Sequence, residues 1–267
     1  MSDLDQIAGA KLAMPNRAQL SHLSRIQALG LAFGPVTPVR FTVAGDLHLD
    51  LDDVFLHRTE VLPPLDDVGV TPAAAFLQYC SDARMIDAIK VGDWLLHRRH
   101  MTILEAGELA RRDHWRPGAR QVRRVLPHLD AASRSLKESE TRALVVFAGL
   151  PRPEVNVDLV LNGRHLGCVD LLFRIWLLVL EYEGRQHAET VEQFNIDITR
   201  YAGFRDELVA YVQITNEMLR QPRALMLLIH QKLIDRGYDG PPPVFGARWS
   251  SLFTRIPSSG DLASKIP

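Results

Sequence analysis

The chain runs to 267 residues, 46% of them hydrophobic, and carries a formal net charge of −1. That length and apolar content can bury a sizeable core, enough for two domains. The near-zero charge excludes a polyanion binder by bulk composition, so nucleic-acid affinity would have to come from a local patch.

Residues 1–34 mix Ala, Leu, Arg and Ser around Pro15 and read as one helix with a frayed start, closed by the break at Gly34-Pro35. Val39 to Val43 and Val54 to Thr59 are β-like and are split by an acidic turn. Between Asp46 and Asp67 acids dominate, with Asp46, Asp50, Asp52, Asp53, Glu60, Asp66 and Asp67 against Arg58. Thr71-Pro72 opens a helix, because Thr caps well and Pro suits the first helical position. Residues 81–98 are a second helical stretch, with Ile86, Ile89, Lys90 and Trp94 at helical spacing and Trp94 assigned to the core. Thr102-Ile103-Leu104-Glu105 is a capping box that starts a third helix. A basic helix follows from Pro117 to about Leu126. Bases dominate from Arg98 to Arg124, and Arg116, Arg120, Arg123 and Arg124 form the stripe a nucleic acid would use. The same stripe also fits an ordinary solvated helix face.

Asp130 to Ser133 reads as a linker. Ser135-Leu136-Lys137-Glu138 is a further capping box, and Gly149-Leu150-Pro151 stops its helix. Val155 to Leu161 is a strand, Asn162-Gly163 a hairpin turn, and His165 to Phe173 and Leu177 to Glu183 two more antiparallel strands. Thr190 with Gln193 caps a helix reaching about Glu207, Leu208 to Ile214 is a fourth strand, and Pro222 to Arg236 is a closing helix. Pro241-Pro242-Pro243 begins a tail ending in the loosely ordered Ser258-Ser259-Gly260. The expected organisation is therefore a mixed α/β N-terminal domain (1–130), an α/β domain (131–238) and a tail (239–267).

Cys80 and Cys168 are far apart and in no metal-ligand spacing, which points to a reducing compartment without a disulfide framework. No basic region followed by a long apolar core marks a signal peptide, and no run of eighteen apolar residues occurs. The expectation is a soluble, cytoplasmic protein without membrane partners. Its oligomeric state is open, a homodimer included.

The apolar run Leu177 to Leu180 ends in Glu181, Tyr182, Glu183 and Gly184. Carboxylates at the mouth of a buried strand are costly unless they are paired, hydrogen-bonded or metal-bound. If Ile175 and Trp176 form a two-residue turn, residues whose numbers add to 351 sit opposite each other. Asp170 then faces Glu181 with Cβ atoms about 5 Å apart. Two carboxylates so placed repel unless a cation lies between them, and Mg²⁺ favours such an oxygen pair, with Mn²⁺ as its substitute.

An ordered set of motifs runs through residues 133–219: Glu138-Ser139-Glu140-Thr141-Arg142, Gly149-Leu150-Pro151, Val169-Asp170, Glu181-Tyr182-Glu183-Gly184 with His187, and Gln193 with Asp197 and Arg200. It resembles the PD-(D/E)XK nuclease core. The similarity is greatest to a bacterial branch of endonuclease-like proteins related to the very-short-patch repair endonuclease. The first piece is one residue tighter than that branch's Glu-Ser-x-x-x-Arg, and the winged-helix module many relatives carry upstream is not recognisable here. The resemblance implies a restriction-endonuclease-like mixed sheet flanked by helices, and Mg²⁺-dependent hydrolysis of DNA phosphodiesters. It implies Asp170 and Glu181 as metal ligands, Glu138 acting through water, and His187 or Glu183 orienting the attacking water. Gln193 and Asp197 would orient His187, and Arg200 would meet phosphate.

Glu138 is equally explained as a capping-box residue, and Glu140 points about 200° away around the helix. Glu183 departs from the pattern, standing where many members of the superfamily carry Lys. A Glu cannot lend a positive charge to the transition state, which keeps a second class open: a catalytically inactive nuclease-fold DNA-binding or antitoxin-like regulatory protein. A third reading is an interaction module whose acidic N-terminal segment docks a basic partner.

Overall fold

The computed structural model describes residues 2–47, 49, 51–183 and 201–257. The chain divides into two units: residues 1–129, joined by the described residues 255–257, and Asp130–Thr254. No helix among the described residues is long and apolar enough to cross a membrane.

The N-terminal unit opens with α1 (Asp3–Ala13), whose Ser2 and Asp5 form a reciprocal capping box. Strand β1 (Gln19–Leu20) and the short α2 (His22–Gln27) follow, then β2 (Val39–Ala44) and β3 (Val54–Thr59). The sheet order is β1-β2-β3, with β1 and β2 antiparallel. The pair split by the acidic segment is parallel, with Val39 opposite Val54 and Thr42 opposite His57. The acidic segment therefore carries the chain back along the sheet instead of closing a tight turn. The period-2 alternation of β2 gives the sheet two unlike faces. Val39 and Phe41 pack with Ile7, Met14 and Leu20, whereas Arg40 and Thr42 face the other way.

Four helices complete this unit: α3 (Pro72–Cys80), α4 (Met85–His97), α5 (Ile103–Arg112) and α6 (Ala119–Val125). The α5 capping box is formed in full, Thr102 Oγ1 accepting from the Glu105 N–H at 3.1 Å and the Thr102 N–H donating to Glu105 at 2.7 Å. The α4 stripe falls differently from expectation. Ile89, Val91 and Leu95 are fully buried while Trp94 is half-buried, because α4 is enclosed on more than one side. Gly118, at φ 98°, passes so close to the Leu77 carbonyl that a Cβ would lie 1.8 Å from that oxygen. Only glycine fits that crossing.

The C-terminal unit begins with α7 (Leu136–Phe147), ended by a Schellman motif: Leu150 N–H donates to Val145 and Gly149, at φ 83°, donates to Val146. Strands β4 (Glu154–Leu161), β5 (Arg164–Phe173), β6 (Leu178–Tyr182) and β7 (Ala210–Ile214) form one sheet in sequence order. The first three are mutually antiparallel and β7 is parallel to β6. The β4–β5 turn has Asn162 at φ 49° and Gly163 at φ 79°, the left-handed pair a two-residue hairpin demands. A helix, α8, covers residues 201–206, and its Phe204 packs with Leu159, Leu172 and Val179. The unit closes with α9 (Asn216–Arg220), α10 (Pro222–Ile234) and α11 (Ala247–Leu252). The stretch expected to be a tail from 239 on is thus partly core: Trp249 and Leu252 of α11 are buried, with Trp249 between Phe245 and Phe253. Trp249 and the aromatic rings on either side of it supply the burial that a proline-led tail would lack.

Candidate functional site

The strand that should carry the site is held by a longer turn than expected. Arg174–Trp176 form a single 3-10 turn and Leu177 is left-handed at φ 44°, so the connection takes four residues, 174–177, where two were expected. The register is nonetheless the expected one: Leu171 pairs with Leu180 and Phe173 with Leu178. Asp170 and Glu181 stand one step past the last of these pairs. There Asp170 accepts the Tyr182 N–H at 2.9 Å, so its carboxylate takes over the ladder where the strand pairing ends. Glu181 is 6% exposed, a carboxylate inside a strand whose Leu178, Val179 and Leu180 are buried. Beside it, β7 places Gln213 opposite Glu181.

Glu183 follows the strand on the same face. Its N–H donates to Ile214, and its carboxylate accepts from Gln213 Nε2 at 2.6 Å and from the Tyr201 hydroxyl at 3.3 Å. Where the resemblance leads one to look for a Lys, the chain has an acid held by two neutral donors. Gln213 was not singled out from the sequence. Its signal was the alternation of β7, where Tyr211 and Gln213 fall on one face, but only the parallel pairing with β6 turns that into proximity to Glu181. Tyr201 stacks on Tyr211 at 4.7 Å between ring centres, which fixes the hydroxyl toward Glu183.

Glu138 lies at the N-terminus of α7 and is 7% exposed. Its capping box is only half made. Ser135 Oγ accepts the Glu138 N–H at 3.1 Å, but the Glu138 carboxylate accepts from the Arg134 N–H at 2.9 Å and from Asn156 Nδ2 at 2.5 Å. Asn156 also donates to the Ala132 carbonyl at 2.7 Å. The carboxylate thus ties the entry of α7 to β4, and the hydrogen bonds it makes do not join it to Asp170 or Glu181. One turn on, Arg142 is 1% exposed and is among the largest fully buried side chains of the molecule. Glu140, as expected, faces elsewhere and pairs with Lys137 at 3.1 Å. His187, Gln193, Asp197 and Arg200 lie outside the described residues. No cluster of three or more His, Cys, Asp or Glu side chains fit to hold a metal occurs among the described residues.

The basic stripe of the N-terminal unit separates into unlike members. Arg116 is a structural residue: it is 8% exposed, pairs with Asp113 at 2.7 Å, and donates to the Val61 and Leu62 carbonyls at 2.7 and 2.9 Å. These bonds take three of the five guanidinium N–H groups and fix Arg116 within its own unit. Arg124 donates to the Pro257 carbonyl at 3.0 Å and Arg120 is half-buried, while Arg123 is exposed.

The chain matches no family profile, and no solved structure matches it. Two uncharacterized proteins of Mycobacterium tuberculosis, from strains CDC 1551 and H37Rv, are each 26% identical to it over 168 residues. The alignment covers 62% of this chain, and the chain spans about 62% of the length of the curated relatives it matches.

Proposed function

We propose that the C-terminal unit is a metal-dependent endonuclease that hydrolyses DNA phosphodiester bonds, built on a restriction-endonuclease-like core. The observation that carries this reading is the placement of Asp170 and Glu181 at neighbouring positions of adjacent strands, with Glu181 almost wholly buried. The order of elements supports it: helix, strand, Asp-bearing strand, Glu-bearing strand, helix and a parallel fourth strand. The donor chemistry fits a hard divalent ion, because Mg²⁺ is commonly held by one or two protein carboxylates, its remaining positions going to water and phosphate. Asp170 and Glu181 would hold it. When bound, such an ion generates the nucleophile and offsets the charge growing on phosphate. The chain's own part is positioning. Asp170 fixes the mouth of β6 through the Tyr182 N–H, and Gln213 with Tyr201 holds the Glu183 carboxylate toward the same face. Glu138 positions the α7 entry, and exposed bases such as Arg123 would track the DNA backbone with salt-dependent affinity.

A second reading rests on Glu183. An acid where the superfamily usually has Lys adds repulsion toward phosphate, and a nuclease fold without turnover would bind DNA or regulate. Nicking of supercoiled plasmid in Mn²⁺ separates the two. The enzyme reading expects nicking that Asp170→Asn and Glu181→Gln abolish; equal products from wild type and Asp170→Asn would leave only the binding reading. Titration calorimetry with Mn²⁺ gives the metal directly, and unchanged binding in both variants would remove it.

A further inference from the structure

The face of the N-terminal sheet opposite its apolar core is polar where a buried parallel pair is ordinarily apolar. On it, Arg40 pairs across the ladder with Phe55 and Thr42 with His57. The helices α2 and α3 cover this face with His22 and Gln78. The His22 and His57 rings stack at 3.7 Å and 20° between planes. Gln78 donates to Thr42 Oγ1 at 2.9 Å and accepts the His22 N–H at 3.4 Å, while Ser21 Oγ lies 2.9 Å from His22 Nδ1. His22 holds this place at φ 52°, a conformation a histidine adopts at a cost that the surrounding bonds must maintain. Burial, and secondarily its neighbours His57 and Arg40, holds His22 well below the usual imidazole range. Burial, with Arg40 again second, takes His57 down to about 4. Both rings are therefore neutral in neutral solution, and Arg40 is the charge among them.

Beside this cluster lies a cavity of about 470 Å³, within the size range of small-molecule sites. Its acids are occupied: Asp87 pairs with Arg84 at 2.5 Å and Asp82 with Arg255 at 2.7 Å. Arg40 is placed differently. Its guanidinium is 3.5 Å from His57 Nε2 and lies over the Phe55 ring at 5.8 Å, and no carboxylate of the described residues neutralises it. Thr37 aside, the rest of the wall is apolar or aromatic, with Leu23, Phe33, Pro35, Pro38 and Tyr79, and Lys90 lies over the Phe33 ring at 4.9 Å. A cavity with one cation that no carboxylate of the described residues neutralises, neutral hydrogen-bonding groups and flat apolar walls selects for a ligand of matching parts.

We propose that this cavity is a binding site for a small organic anion with a flat ring, an aromatic carboxylate or a nucleoside monophosphate, whose charged group meets Arg40 and whose ring lies among Phe33, Tyr79 and the prolines. The site belongs to the N-terminal unit and stands independently of the nuclease reading. The test is the melting temperature of the full chain with millimolar salicylate, AMP, inorganic phosphate or adenosine. Salicylate or AMP is expected to raise it by about 2–4 °C at tenfold excess over Kd. Phosphate and adenosine, each lacking one part, are expected to leave it unchanged. Arg40→Gln should remove the rise, and Arg17→Gln, on an exposed side chain of the same unit, should retain it. No rise with either ring-bearing anion, an equal rise in Arg40→Gln, or an equal rise from phosphate alone overturns the proposal. Should Arg40→Gln fail to fold, Ala83→Leu decides: it enlarges a side chain of the cavity wall without touching a charge, and an undiminished rise overturns the proposal.

Discussion

The two units bury ionisable groups in opposite ways. In the C-terminal unit the acids sit within strands, Asp170 in β5 and Glu181 in the neighbouring β6, and their relation follows from the ladder. In the N-terminal unit the group comes from four separate segments, Ser21-His22, Arg40-Thr42, His57 and Gln78, and each is unremarkable in its own stretch. A sheet makes sequence neighbours into spatial neighbours by a fixed rule, whereas helices laid over a sheet do so only through packing. Carboxylates on a strand can therefore be found by reading, and a polar cluster beneath helices cannot.

The largest effect should separate chemistry from folding in the C-terminal unit. Asp170→Asn keeps a side-chain carbonyl to accept the Tyr182 N–H, so its urea midpoint should match wild type. If the proposed nuclease reading holds, losing Asp170 as a metal ligand removes several kcal/mol of transition-state stabilisation, and nicking should fall by on the order of 100-fold or more. A midpoint that collapses together with activity would mean that Asp170 is a structural acid, and the contrast between the units would vanish.

The next effect lies in the N-terminal unit. Arg116→Ala removes a buried cation with its Asp113 pairing and two carbonyl contacts, leaving those groups enclosed, and should cost about 2–4 kcal/mol. Arg123→Ala, on an exposed side chain, should stay within about 0.5 kcal/mol. Equal costs by urea denaturation would contradict the division of the basic stripe into structural and solvated members.

The histidine pair gives the N-terminal unit a pH signature. Both imidazoles have native pKa values below the usual 6.5. Below pH 6.5 the unfolded chain takes up protons that the native state refuses, so this pair costs stability progressively as pH falls toward about 4, where His57 protonates in place. His57→Gln should flatten that acid limb. Identical loss of stability between pH 7 and 5 in wild type and His57→Gln would exclude the pair as its source.

The smallest effect concerns Glu138. Ser135→Ala removes the hydroxyl that caps α7 and should cost about 1 kcal/mol. Because the Glu138 carboxylate bonds to Arg134 and Asn156 instead of returning to the cap, nicking should not change. A large fall in nicking would tie the α7 entry to the chemistry more closely than its hydrogen bonds indicate.

Much of the C-terminal unit was legible. Asn162-Gly163 and Gly149 mark positions where the backbone must turn left-handed, and both do. The Asp170–Glu181 register was legible even though its turn was not, because adding two residues symmetrically to a hairpin loop leaves the pairing sum unchanged. The α11 helix was hidden by the Pro241-Pro242-Pro243 run before it, and the half-made capping box at Glu138 by Asn156, a partner 18 residues away.

By itself the sequence determined the local rules: which strands alternate, where glycine must stand, which carboxylates share a face. Only the tertiary structure decided that β2 and β3 run parallel, that Arg116 is enclosed while Arg123 is solvated, and that His22 stacks on His57 under Gln78. The physical reason is range. Backbone geometry acts over a few residues, while burial and hydrogen bonding depend on which distant surface arrives to exclude water.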